Sequence, residues 1–320
     1  MKPDEKEFLS VCIPTYNRAP ILKQLLEQFT AQIRAAGLTD SDVAFYFSDN
    51  ASPDDTPRVI EDFQRQGFRV HYSRNPTNIG IHRNVLRIYS LPRGRYCWGL
   101  GDDELLCPDA LPRMLKVLRE HAPGLLIAFN SRYDLRIPVP ELFPSYQAFA
   151  KKCLQLNAHA LAEHTLISSN IIRSDHFDYA LGEANVHMYF PNMFGLMRPL
   201  IRDRLSVYLP DFPIITVREA APGAGPSDGV WADLDSCWKY YFTWLREELQ
   251  MPELDPTAPS RIARQMMLKN LRRNPFKYFW NHKGALLQPS AYRFLLSRLF
   301  GSSGQSARND SENSNHSLRR

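Results

Sequence analysis

Short apolar segments alternate with amphipathic stretches along the first 120 residues, and this alternation narrows the available folds more than any other feature. Phe8-Leu9-Ser10-Val11-Cys12-Ile13-Pro14 is an apolar run ending in proline, the pattern of a buried strand leaving its sheet. From Arg18 to Ala35 the residues Ile21, Leu25, Phe29 and Ile33 recur at helical spacing. Val43 to Phe47 is a second apolar stretch. It runs into Ser48-Asp49-Asn50-Ala51-Ser52-Pro53-Asp54-Asp55-Thr56, dense in turn and capping residues, and Val59, Ile60 and Phe63 continue as an amphipathic helix. Phe68 to Ser73 predicts a third strand, Gly80 to Tyr89 a third helix, and Tyr96 to Leu100 a fourth strand stopping at Gly101-Asp102-Asp103-Glu104. The expectation is an α/β fold: a doubly wound, mainly parallel sheet with helices on both faces. Ligands of such sheets bind at the carboxyl ends of strands, and three of these ends carry conspicuous polar clusters.

Beyond Leu111 the pattern is weaker. Leu125 to Phe129 and Leu166 to Ile172 predict strands, Ala220 to Gly229 a loop or lid, and Trp231 to Leu249 and Arg261 to Leu271 helices. After Gly301 almost no apolar residue remains to offset ordering entropy, so 301–320 is expected to be a disordered tail. With 44% hydrophobic and 23% charged residues, the chain has the balance of a globular protein. Its five cysteines form no Cys-x-x-Cys or Cys/His cluster and read as reduced, mostly buried thiols. The first ten residues hold no apolar core of signal-peptide length, and no apolar run approaches the roughly 20 residues that span a bilayer. A cytoplasmic location is therefore expected.

Three carboxylates, Asp102, Asp103 and Glu104, follow a buried strand beside Gly101. Adjacent like charges are costly unless a cation or proton neutralises them, and oxygen ligands favour a hard ion, Mg²⁺ or Mn²⁺, which can in turn hold a diphosphate. The alternative is an acidic helix N-terminus. Asp49 and Asn50, at the second strand end, can read a nucleobase edge or form an Asx-turn, with Ser52 or Asp54 capping the next helix, and both can hold at once: Asp49 binding while Ser52 and Asp54 cap. No Ser/His/Asp order, His-x-x-x-His spacing or Gly-rich phosphate loop is present, which argues against a hydrolase, zinc enzyme, P-loop NTPase or nicotinamide dehydrogenase.

Four motifs in order, Ser10 to Arg18, Ser48 to Thr56, Asn75-Pro76-Thr77-Asn78-Ile79-Gly80 through Arg83-Asn84, and Gly101 to Glu104, resemble those of family 2 glycosyltransferases of the GT-A fold. The nearest flavour is the subgroup that adds sugars to bacterial O-antigen and other surface polysaccharides, and the likeness fades after about residue 120. The resemblance implies that Pro14, Tyr16 and Arg18 line a nucleotide pocket, that Asp49 contacts the base, and that Arg83 approaches the diphosphate. It places ribose and metal on Asp102 and Asp103, with Glu104 where the family's Asp-x-Asp pattern usually ends in aspartate. The implied reaction is an inverting displacement by a metal-dependent hexosyl- or deoxyhexosyltransferase, from a nucleotide-sugar donor to a glycan or lipid-linked glycan acceptor. The general base is expected between Asp175 and Asn192, with Glu183 preferred over Asp178 and His187. Should none of these serve, Asp175 and the Asp228 to Asp235 stretch come next. The rivals are a sugar nucleotidyltransferase and a non-catalytic nucleotide-sugar-binding or assembly protein.

On this reading 1–220 form the catalytic domain and 221–300 a mostly helical region. The net charge of +5 concentrates between Arg261 and Arg298. There, basic residues interleave with aromatics such as Phe276, Tyr278, Phe279 and Trp280, a mixture suited either to an anionic membrane surface or to packing on the catalytic core. No zinc-finger, helix-turn-helix or RNA-recognition signature accompanies it, and no nucleic-acid partner is expected.

Overall fold

The computed structural model of the chain describes residues 6–129, 139–156, 161, 164–188, 190–217 and 230–257. By its internal contacts the chain divides into two units, Met1–Glu219 with Cys237–Ile262, and Ala220–Ser236 with Ala263–Arg320. The expected lid at 220–229, the basic aromatic stretch beyond Arg261 and the tail all lie outside the described residues. Among the described residues no helix is long and apolar enough to cross a membrane.

The first unit opens with β1 (Leu9–Thr15), α1 (Ala19–Ala36), β2 (Val43–Asp49), α2 (Thr56–Arg65), β3 (Val70–Arg74), α3 (Ile81–Ile88) and β4 (Tyr96–Gly99). After it come β5 (Glu104–Leu106), α4 (Ala110–His121), β6 (Leu125–Ile127), β7 (Glu141–Phe143) and α5 (Tyr146–Leu156). A 3-10 turn at Ile167–Ser169 leads into β8 (Asn170–Arg173), followed by α6 (Tyr179–Ala184), α7 (Pro191–Arg202), β9 (Val207–Leu209) and β10 (Ile215–Val217). Another helix, α8, covers Val230–Leu249.

Eight strands form one sheet in the order β3-β2-β1-β4-β8-β6-β9-β7. β3, β2, β1 and β4 are all parallel, as the βα alternation predicts. Beyond β4 the sheet is mixed: β8 runs against both β4 and β6, and β7 against β9. α1, α2 and α4 cover the face of Leu9, Val11, Ile13, Phe45 and Phe47, where Phe29, Phe45 and Phe63 meet edge to face at 4.9–5.0 Å. Burying each such ring contributes about 1.5–3 kcal/mol. α3 docks on the other face through a polar anchor, since Asn84 Nδ2 donates to the Ser48 carbonyl at 2.9 Å and its Oδ1 accepts from Ser48 Oγ at 2.7 Å. α1 stops where Gly37 takes the left-handed φ of 62° and Leu38 N–H returns to the Ile33 carbonyl, a turn that glycine makes without strain.

Below the amino end of the sheet, Glu7 is only 1% exposed. Its Oε1 accepts from Ser10 Oγ at 2.5 Å and from Tyr46 OH at 2.8 Å, and Arg69 stands 3.9 Å from Oε2. Burial pushes this carboxyl up, but the two side-chain hydrogen bonds and the Arg69 charge outweigh it and hold its pKa below the ordinary 4.5. The unfolded chain therefore takes up this proton at higher pH than the folded one. The stabilisation is full above the unfolded value and is lost as pH falls through the folded value. Melting temperature should accordingly drop more steeply below pH 4.5 in the wild type than in Glu7→Gln. Tyr46→Phe should cost about 1–3 kcal/mol in urea titration, because a buried carboxylate loses a donor.

Candidate active site

β1 has β2 on one side and β4 on the other, and the chain winds outward to β3 before returning to β4. The strand order therefore reverses between β1 and β4, which opens a crevice at their carboxyl ends. Pro14 helps to end the pairing. It lies past the last β1–β4 pair, Cys12–Gly99, so the N–H it lacks would have met no strand.

Thr15 and Asp102 meet in this crevice, with Thr15 Oγ1 donating to Asp102 Oδ2 at 2.7 Å. Burial drives the Asp102 carboxyl up to about 6; the Thr15 bond and the Arg18 charge oppose the rise, while Asp103 adds to it. Glu104 is pushed up to about 7, first by burial and then by Asp103, against a hydrogen bond from Ser168. Ser168 is the buttress of the turn: its Oγ accepts from Gly101 N at 3.1 Å and its carbonyl from Trp98 Nε1 at 2.9 Å. Glu104 opens a strand paired with Val217, and the next helix starts only at Ala110, so the triplet is not an acidic helix N-terminus.

Carboxylates whose burial disfavours their charge attract a cation, and the donor set here fits a hard one. Among the described residues no three His, Cys, Asp or Glu side chains converge to hold an ion unaided. A pair from Asp102 and the exposed Asp103 suits Mg²⁺ or Mn²⁺ chemistry in which water and phosphate oxygens complete the shell.

At the end of β2 the expected Asx-turn is present. Asp49 is fully buried. Its Oδ1 accepts from Ser52 N at 2.9 Å, the expected Asx-turn, and its Oδ2 from Tyr72 OH at 2.6 Å, with Arg74 Nε 3.8 Å away. Asn50 is also buried: its Oδ1 accepts from Asn75 Nδ2 and Ile79 N, and its Nδ2 donates to Asn78 Oδ1. The Asn50 amide is thus committed to the loop before α3. The groups that this cluster presents outward are Tyr72, 40% exposed, and Arg74. Burial, and then the hydrogen bond to Asp49, raise the Tyr72 hydroxyl.

Ser52 does not cap α2, because its Oγ accepts from Asn17 N instead. Asp54 serves two helix starts, taking Thr56 N–H at the head of α2 on Oδ1 and Ala19 N–H at the head of α1 on Oδ2, both at 3.0 Å. Thr56 Oγ1 accepts from Arg18 N at 3.1 Å. These bonds pin the loop after β1, whose Tyr16 and Arg18 side chains are exposed.

Arg83 is exposed in the first turn of α3, the end nearest the crevice. The three candidate bases differ in their commitments. Asp178 is the N-cap of α6, accepting from Leu181 N at 3.0 Å. Glu183, half-buried on α6, raises the hydroxyl pKa of Tyr179 through charge and a hydrogen bond, after burial. His187 is exposed in the turn after α6, beside Val186, whose carbonyl faces His82 Nδ1 at 3.2 Å. Of the two further positions, Asp175 is ion-paired with Arg173 at 2.8 Å, and the side chains of 228–235 lie outside the described residues. Thr15, Tyr72, Arg74 and Ser168 emerge only from the fold. Thr15 lies inside a recognisable motif, whereas nothing local in sequence links Ser168 to Gly101, 67 residues away.

A mainly parallel sheet with its site at the β1/β4 switch point is the GT-A arrangement, and solved structures with that fold resemble this one. TarS 1–349 of S. aureus aligns with a TM-score of 0.54 at 14% identity over 91% of this chain and 79% of that one. The mannosyltransferase PcManGT from Pyrobaculum calidifontis, solved with GDP-Man and Mn²⁺, aligns with 0.53 at 13% identity over 94% and 89%. Residues 10–165 match the model of glycosyl transferase family 2, and this part of the chain is a domain of that family. The abequosyltransferase RfbV of Salmonella typhimurium is 39% identical over 105 residues, 32% of this chain and 30% of that protein. The matches span 30–36% of the length of such curated relatives.

Asp54→Ala should lower stability by about 1–2 kcal/mol in urea unfolding, since it leaves N–H groups at two helix starts without their acceptor. Asp55→Ala, at a cap position whose side chain makes no capping bond, should cost much less.

Proposed function

We propose that the chain is an inverting glycosyltransferase that moves a hexosyl or deoxyhexosyl group from a nucleotide-sugar donor to a glycan, lipid-linked acceptor in bacterial surface polysaccharide synthesis. The observation that carries this reading is the meeting of Thr15 and Asp102 at the switch point, with Arg18 and Asp103 beside them. The family of residues 10–165 and the activity named for RfbV support the reaction class.

In this reading Pro14, Tyr16 and Arg18 flank the nucleotide, and Asp49 acts on the base through Tyr72 and Arg74. Arg83 approaches the diphosphate from α3. Asp102 and Asp103 would hold Mg²⁺ or Mn²⁺, which supplies positive charge to the departing diphosphate. Thr15 keeps Asp102 aimed into the crevice, and Ser168 keeps Glu104 and Gly101 in place behind it. Glu183 takes the proton of the acceptor hydroxyl as it attacks the anomeric carbon. The enzyme works in the cytoplasm, at the inner face of the membrane that carries its acceptor.

Asp103→Ala should abolish transfer with an unchanged melting temperature, and should lose the Mn²⁺-dependent part of the thermal shift given by nucleoside diphosphates. Wild-type turnover by the folded variant would sink the metal reading. Thr15→Val should weaken metal-dependent nucleotide binding about 10- to 100-fold, as loss of a ligand-orienting partner does. Glu183→Gln should cut transfer by about 10²-fold or more with donor affinity retained. A near-normal rate beside a dead His187→Gln or Asp178→Asn would move the base to that residue.

A further inference from the structure

A cavity of about 570 Å³ opens at the other end of the sheet, where β1 and β4 begin and the antiparallel β8 ends. Its lining holds five cationic side chains against three carboxylates. The carboxylates are already engaged: Asp42 pairs with Arg119, Asp175 with Arg173 at 2.8 Å, and Glu7 with Ser10, Tyr46 and Arg69. Lys6, Arg93 and Arg95 remain, with no ionic partner among the described residues.

Two of the guanidiniums are held on aromatic rings. Arg95 lies over Tyr96 at 5.9 Å and Arg119 over Phe8 at 4.9 Å, and the two rings are themselves 5.4 Å apart. Stacking restricts the long side chains before any ligand arrives, so less freedom is lost on binding. Gly94 brings Arg93 and Arg95 tight against the sheet, since a Cβ there would lie 2.9 Å from both the Glu7 carbonyl and Ser10 Oγ. Planar guanidinium forks beside an ammonium match the several acceptor oxygens of a phosphate.

We propose that this cavity is an anion-binding site, separate from the candidate active site, that takes a phosphate-bearing ligand between Lys6, Arg93 and Arg95. The site stands apart from the glycosyl-transfer reading and is tested by binding alone. Calorimetric titration of the full chain with inorganic pyrophosphate, without divalent metal, should show binding that weakens with salt. R93A/R95A should lose affinity about tenfold or more, as expected when charge-assisted bonds are removed, with K6A weaker in the same direction. K23A/R58A, which removes two exposed cations that lie outside both sites, should bind like wild type. Co-sedimentation with phosphatidylglycerol vesicles, against phosphatidylcholine, separates the two sources: retention lost in R93A/R95A marks a lipid headgroup, and pyrophosphate binding without retention marks a soluble ligand. Equal pyrophosphate affinity in wild type, R93A/R95A and K6A, or none in the wild type, overturns the proposal.

Discussion

The divergence of β1 and β4 after four paired residues, closed by the bond from Thr15 to Asp102, is the constraint on which the rest of the site depends. Two parallel strands that separate leave backbone and side-chain polar groups facing a crevice instead of each other. Thr15 spans that gap to a carboxylate 87 residues away and fixes its direction. Asp102 and Glu104 are then held where burial disfavours their charge. Such a turn is stable only because Ser168, Arg18 and Thr15 each return part of what desolvation removes, and a cation would supply the remainder. The geometry that weakens the fold locally is the same geometry that suits the turn's carboxylates to a cation.

Around this crevice, the polar residues at the strand ends spend most of their capacity on one another. The loop after β1 hangs on Ser52, Asp54 and Thr56 of the loop after β2. That loop is fastened in turn to the one before α3 through Asn50, Asn75 and Asn78. Side chains thus replace the ladder hydrogen bonds that end with the strands, and they hold three loops as one rigid rim. A rim of this kind presents few free polar groups. Tyr16, Arg18, Tyr72, Arg74 and Arg83 are among its exposed side chains, Tyr72 and Arg74 while still bonded to Asp49 and Ser52, and they are cationic or aromatic, the types that meet a nucleotide by stacking and charge.

β1, β2 and β4 were legible because parallel strands buried on both faces read as unbroken apolar runs, whereas β3, a half-exposed edge strand, was legible from its place between two amphipathic helices. The second half was less so for a physical reason: β6, β7, β9 and β10 are three residues each, too short to carry a period, and their pairing is set by contacts distant in sequence. Motif reading found the carboxylate turn, where the clustering of charge is itself the signal. It could not distinguish a carboxylate that faces a ligand from one that faces its own loop. Asp49 and Asn50 look alike in sequence whether or not they brace a turn, and the partners that show the bracing, Tyr72, Ser52 and Asn75, are brought there by tertiary packing.

Both ends of β1 and β4 carry charge: Asp102 and its neighbours Asp103 and Glu104 lie where the strands end, with Arg18 near them, and Lys6, Arg93 and Arg95 lie where they begin. Among the described residues that line that end, Glu7 is the buried carboxylate: Ser10 and Tyr46 donate to one oxygen while Arg69 faces the other. Its charge remains, because donors that lower a carboxyl pKa favour the ionised form, and it is Arg69 that offsets that charge. The hydrogen bonds to Glu7 therefore secure the start of the first strand without neutralising it, and the cationic surplus at that end rests on Lys6, Arg93 and Arg95, in a lining whose other carboxylates, Asp42 and Asp175, pair with Arg119 and Arg173.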